Sequence, residues 1–92
     1  MIRSFRNSRT EALFNDQGVL QYRAIERVAR RKLLYLHQAQ RLAELKVPPG
    51  NRLEVLKGDR KGQHSIRIND QWRICFRWKD GDVLDVEIVD YH

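Results

Sequence analysis

The run Pro48-Pro49-Gly50 divides the chain into two stretches with different hydrophobic periods. Proline lacks the amide hydrogen a helix needs, and the residue before it is pushed out of helical backbone, so helix should end here. Upstream the period is helical: Ile25, Ala29, Leu33 and Leu36 recur at three- and four-residue spacing, widened by Val28, Tyr35 and Leu42. That stripe predicts a helix over 22–38, with a separate helical turn over 42–45. Downstream the period becomes two. Ile66 and Ile68 alternate with Ser65 and Arg67; Trp72, Ile74, Phe76 and Trp78 with Arg73, Cys75 and Arg77; Leu84, Val86 and Ile88 with Asp85 and Glu87. Three half-buried antiparallel strands follow, joined by turns at Asn69-Asp70-Gln71 and Asp80-Gly81-Asp82. Residues 2–5 read as a short strand, and 10–15 as a turn or two of helix broken by Gly18. The predicted class is α+β: a small antiparallel sheet, made of the three-stranded C-terminal meander plus an N-terminal strand, packed on two or three N-terminal helices. At 92 residues it should be one domain over 1–92.

Face matching fixes the register, because a one-residue slip turns every side chain to the other face. A three-residue loop at 80–82, or an equivalent bulge, places Trp78 opposite Leu84, Phe76 opposite Val86 and Ile74 opposite Ile88. The same logic at 69–71 puts Ile68 opposite Trp72 and Ile66 opposite Ile74. The polar face then holds a neutralised pair, Arg77 with Asp85, and a like-charged pair, Arg67 with Arg73. Like charges directly opposed in a sheet are destabilising. Glu87 is one carboxylate that can soften this pair; a bound phosphate, gripped by two forked guanidiniums, is the other reading. Lys57, Arg60 and Lys61 enter the same strand from the preceding loop and favour phosphate.

Charge supports a polyanionic partner. All 18 lysines and arginines lie in residues 1–79 against seven acids, a local net of +11, while 80–92 carries five acids and no lysine or arginine. A basic body attracts nucleic acid. Arg23, Arg27, Arg30, Arg31 and Lys32 crowd the main helix and read first as a solvated face, second as a docking surface for an acidic partner. No stretch reaches the ~20 apolar residues of a membrane helix. MIRSFRNSR lacks the apolar centre of a secretion signal, and Cys75 is the only cysteine; both fit a cytosolic protein.

The last three residues, Asp90-Tyr91-His92, place an acid, a phenol and an imidazole together in sequence. RNA carries its own nucleophile, the 2′-OH, so cleavage needs a base, cations for the charged phosphorane and an acid for the leaving 5′-oxygen. Arg73, Arg67 and Lys57 suit the cationic role, and His92 can exchange protons near neutral pH. Tyr91 can orient the 2′-OH, and Asp90 can orient His92. Strict alternation puts Tyr91 on the polar face, diagonal to Arg73, and sends Asp90 and His92 to the other side. The inert reading of these residues is a frayed tail. His37, His64, His92 and Cys75 lack metal-ligand spacing, so neither metal nor other cofactor is expected. His37 should lie on the helix surface, His64 partly buried in a strand, and Cys75 should be a plain small strand residue. Gly58 and Gly62 flank a charged turn, not a nucleotide-binding loop.

Over its full length the chain resembles the HigB toxins of bacterial toxin–antitoxin systems, within the RelE-like superfamily. The resemblance is carried most specifically by VPPGNRLEVLKGDRKGQHSIRINDQWRICFRW, residues 47–78, and by the terminal DYH. It implies a bacterial, cytoplasmic, metal-independent endoribonuclease that cuts translated mRNA in the ribosomal A site. The implied partners are a HigA-like helix-turn-helix antitoxin, the 70S ribosome and mRNA, with DNA met only through the antitoxin and no membrane. The functional positions it implies are Lys57, Arg73, Asp90, Tyr91 and His92, with Arg67, Arg60 and Lys61 suited to RNA phosphates. Some relatives have a catalytic histidine three residues before the lysine; this chain has Glu54 there, a candidate base of a different kind. Two alternatives stand beside this reading: a non-catalytic RNA- or ribosome-binding module using the same basic face, and a partner-only protein using the arginine-rich helix.

Overall fold

A computed structural model describes residues 1–90. Two helices, α1 (Ser8–Phe14) and α2 (Glu26–Gln38), precede a four-stranded antiparallel sheet. Its strands, β1 (Glu54–Val55), β2 (His64–Arg67), β3 (Trp72–Lys79) and β4 (Asp82–Asp90), lie in sequence order. The α+β class holds, with two corrections to the sheet. The fourth strand is β1, formed just after the proline break. The N-terminal segment joins β4 only through two parallel bridges, Ile2 with Val83 and Phe5 with Val86. Single 3-10 turns at Pro49–Asn51 and Gly58–Arg60 also lie beyond the break where helix was expected to end. Among the described residues no helix is long and apolar enough to cross a membrane.

The predicted helix begins later than its hydrophobic stripe. Leu20–Ile25 is a 3-10 segment that leads into α2. Ile25, Ala29, Leu33 and Leu36 are all buried, and they form one core with Ile66, Ile74, Phe76, Val83, Val86 and Ile88 of the sheet. Tyr22 meets Trp72 edge-on, with ring centroids 5.7 Å apart. The cationic helix face is only partly solvated. Arg30 is fastened to Glu26, to Asp16 at 3.6 Å and to the Leu13 and Gln17 carbonyls. Lys32 is buried, donating to Asn51 Oδ1, while Asn51 in turn donates to the Leu45 and Val47 carbonyls. Burial, then repulsion from Arg31 and Arg67, pushes the Lys32 amino group below its usual pKa. His37 is half-buried, not on the open surface: its Nδ1 accepts from the Ile2 amide at 3.2 Å and its ring lies against Phe14.

The β2–β3 register is the expected one, with Ile66 opposite Ile74 and Arg67 opposite Arg73. The β3–β4 hairpin solves its matching problem differently from a three-residue loop. Asp80 and Gly81 both have positive φ, 51° and 84°, in a two-residue turn. Lys79 therefore faces Asp82, Trp78 faces Val83 and Arg77 faces Leu84. A bulge then shifts the register, so that Cys75 faces Glu87 and Ile74 faces Ile88. The expected Trp78–Leu84 pairing is thereby replaced, and Val83 is buried in place of Leu84. The Arg77–Asp85 ion pair survives, at 3.4 Å.

Candidate active site

One face of the sheet packs on the helices. The other carries two adjacent rows, Glu54–Ser65–Cys75–Glu87 and Arg67–Arg73–Val89, set by the strand pairings. Arg73 is the centre of this face and is only 7% exposed. Its Nε donates to Ser65 Oγ at 2.8 Å and its Nη2 to the Arg52 carbonyl at 2.7 Å. The same Nη2 lies 3.6 Å from Glu54 Oε1. Arg52 adopts left-handed backbone with φ 45°, at the end of the 3-10 turn that follows the prolines. A guanidinium presents its N–H groups in a rigid fork, so fixing Nε and Nη2 fixes the orientation of the whole plane.

The opposed arginines are real, but each has its own carboxylate. Arg67 pairs with Asp70 in the turn, and Arg73 with Glu54. Glu87, the expected moderator, instead engages Arg60 at 3.1 Å and Arg6 at 3.8 Å. Arg60 is therefore folded back on the sheet, whereas Lys57 and Lys61 of the same loop are exposed. Gly58 and Gly62, with φ 64° and 90°, allow the tight path of that loop. Asp90 faces Trp72 across the strands, and its Oδ2 accepts from Gln71 Nε2 at 3.1 Å. Tyr91 and His92 lie outside the described residues, so the site described here consists of Arg73 with Glu54, Arg67, and the loop bearing Lys57, Arg60 and Lys61.

Two contributors escaped the sequence reading. Ser65 is fully buried beside Arg73, and the register alone would have placed its hydroxyl on the arginine face. The Arg52 carbonyl is a backbone group in a turn and leaves no mark in the sequence. Cys75 is completely buried; burial, the largest influence, pushes its thiol above the usual pKa and keeps it a poor nucleophile. His64 stacks on Phe76 at 5.8 Å, and burial lowers its pKa.

Similar proteins place the chain in a family. The profile of the HigB-like toxins, described as the RelE-like toxin of the type II toxin-antitoxin system HigB, matches residues 3–92. The chain is 48% identical over 62 residues to Toxin HigB-1 of Vibrio cholerae serotype O1, a stretch covering 67% of this chain and 65% of that one. It is 34% identical over 99 aligned positions to Endoribonuclease HigB of Proteus vulgaris, covering 100% of both chains. A chain from the heterotetrameric YoeB-YefM toxin-antitoxin complex of Staphylococcus aureus has the same fold, with TM-score 0.58 and 16% identity over 100% of this chain and 98% of that one. The chain belongs to the HigB-like toxins, a RelE-like family of type II toxin–antitoxin systems.

Proposed function

We propose that this chain is an endoribonuclease that cuts translated mRNA in the ribosomal A site and so arrests growth. The single observation that carries this reading is the locked Arg73 guanidinium on the sheet face turned away from the helices, opposite Arg67. The ribonuclease name of the Proteus vulgaris relative supports the reaction class. In this account the 2′-oxygen loses its proton and bonds to phosphorus, the bond from phosphorus to the 5′-oxygen breaks, and that oxygen takes up a proton. The step needs charge stabilisation and proton transfer but no metal ion. Arg73 and Lys57 hold the phosphorane charge, Arg67 and Lys61 hold neighbouring phosphates, and Tyr91 orients the 2′-OH. His92, coupled to Asp90, exchanges the proton, with Glu54 as a second candidate base. A site with so few groups depends on its substrate being delivered in position, which the ribosome does. A HigA-like helix-turn-helix antitoxin restrains the toxin in the bacterial cytoplasm, and DNA is met only through it.

Arg73→Lys tests the carrying observation. Lysine keeps the charge but cannot reproduce the forked donors. Cleavage of mRNA in a cell-free translation reaction should fall by about 10²-fold or more, the scale of losing an oriented transition-state donor. Undiminished cleavage by the variant would refute the role given to Arg73.

A further inference from the structure

The loop over residues 57–62 approaches the open sheet face at two points and is tied to it at the first. At the first, Arg60 Nη1 donates to Glu87 Oε1 and to Gln63 Oε1, each at 3.1 Å. The two charged side chains are 33% and 19% exposed, so the pair is largely withdrawn from water. Glu87 faces Cys75 across the strands, and Cys75 is two residues along the same strand face from Arg73. At the second point, Gly62 passes close beside Arg77 and leaves no room for a side chain: a Cβ there would lie 2.7 Å from Arg77 Nη1. Arg77 is itself tied to Asp85. The loop is closed on itself by Lys61 N to Gly58 O at 3.0 Å, Gln63 N to Arg60 O at 3.0 Å and Leu56 N to Gln63 O at 2.9 Å. Fixing Arg60 therefore fixes the loop as a unit.

We propose that Arg60 and Glu87 are positioning residues that hold the Lys57 loop beside Arg73, and that Arg60 serves as an anchor and not as a phosphate contact. The proposal rests on the ribonuclease reading above. Glu87 is only 19% exposed, whereas Asp70 beside Arg67 is 99% and Glu54 beside Arg73 is 50% exposed. An acid so withdrawn from water cannot swing aside, so it competes with phosphate for the Arg60 donors and repels that phosphate as well. The loop also has two glycines at positive φ, whose backbone freedom calls for an external tie.

The anchor and contact roles predict opposite signs for Glu87→Gln. If Arg60 gripped RNA, removing the acid would release it, and cleavage would rise. As an anchor, losing Glu87 lowers cleavage by about tenfold, within the ~10²-fold that a misplacement of ~1 Å in a reacting site can produce. The loss should fall in kcat, with KM little changed, because Arg73 still holds the phosphate. Arg60→Gln should behave alike, and the double variant should be no worse than the poorer single. Hydrogen exchange gives a reading independent of activity. The Lys61 and Gln63 amides should exchange faster in either variant, while Ile74 and Ile88 stay protected as the control for folding. A rise in cleavage for Glu87→Gln, additive losses in the double variant, or unchanged loop exchange would each overturn the anchor. If the unmodified chain cuts no mRNA, the ribonuclease reading fails by itself, and the exchange measurement alone decides the anchor.

Discussion

Ser65 contributes one oxygen to the site, and that oxygen fixes the direction of Arg73. The hydroxyl is fully buried and accepts from Arg73 Nε at 2.8 Å. Ser65→Ala strips a buried charged donor of its acceptor, at a cost of about 1.5–3 kcal/mol. Urea unfolding should show that loss, and mRNA cleavage should fall with it. Glu54 acts in the opposite sense: its carboxylate, half exposed, sits 3.6 Å from the same guanidinium and, in the ribonuclease reading proposed above, competes with phosphate for it. Glu54→His should raise growth inhibition on induction; no change or a loss would argue against the weaker activity expected with a carboxylate at this position. His64 is a reporter of folding. Burial lowers its pKa, so the folded chain binds fewer protons than the unfolded chain. Its contribution to stability is complete above the ordinary value of 6.5 and is lost as pH falls below it towards the lowered value. Melting temperatures taken from about pH 7 to about pH 5 should fall less steeply for His64→Leu than for the unmodified chain.

Among the elements, the outer edge of β4 is covered by residues distant in sequence. The N-terminal segment pairs with it through Arg3 N to Val83 O at 2.8 Å and Arg6 N to Val86 O at 2.9 Å. Where the bulge interrupts that pairing, the Asp85 amide donates to Ser4 Oγ at 2.9 Å, and further on Ile88 N donates to Thr10 Oγ1 at 3.1 Å. An open edge invites pairing with another chain, and these side chains cap it. Ser4→Ala leaves the Asp85 amide without that acceptor and should destabilise the fold by about 1 kcal/mol, measured by denaturant midpoint. The alternation of Trp72, Ile74, Phe76 and Trp78 made β3 and its face legible, and with it the Arg67–Arg73 pairing. It could not choose between an odd loop and a two-residue turn with a bulge, because both return Ile74 to Ile88. Strand β1 was illegible for another reason: two residues are too few for a period, and Val55 stays 70% exposed. The N-terminal strand was overread, since the bulge at Asp85 breaks its ladder into separate bridges.

At the scale of the whole molecule, charge and topology work together. The sheet turns Arg67 and Arg73 away from the helices, and in the ribonuclease reading proposed above the chain's net charge of +6 supplies the long-range attraction for RNA. Ribosome association measured by sedimentation should therefore weaken steeply as salt rises, because phosphate contacts release counterions. A flat salt response would show that the basic face is not the contact. Composition and spacing carry this polarity and the pairing of Arg67 with Arg73. They did not show Arg60 folded onto Glu87, since a basic loop reads alike whether its cations reach solvent or the sheet. Translation-coupled cleavage by this face and the terminal residues can be read by inducing the chain in bacteria and mapping mRNA 5′ ends. A strain making the Tyr91→Phe, His92→Gln double variant runs alongside. New ends inside translated reading frames that vanish in the double variant are the expected result; arrested growth with no new ends would overturn ribonuclease action and leave a protein that blocks translation without cutting.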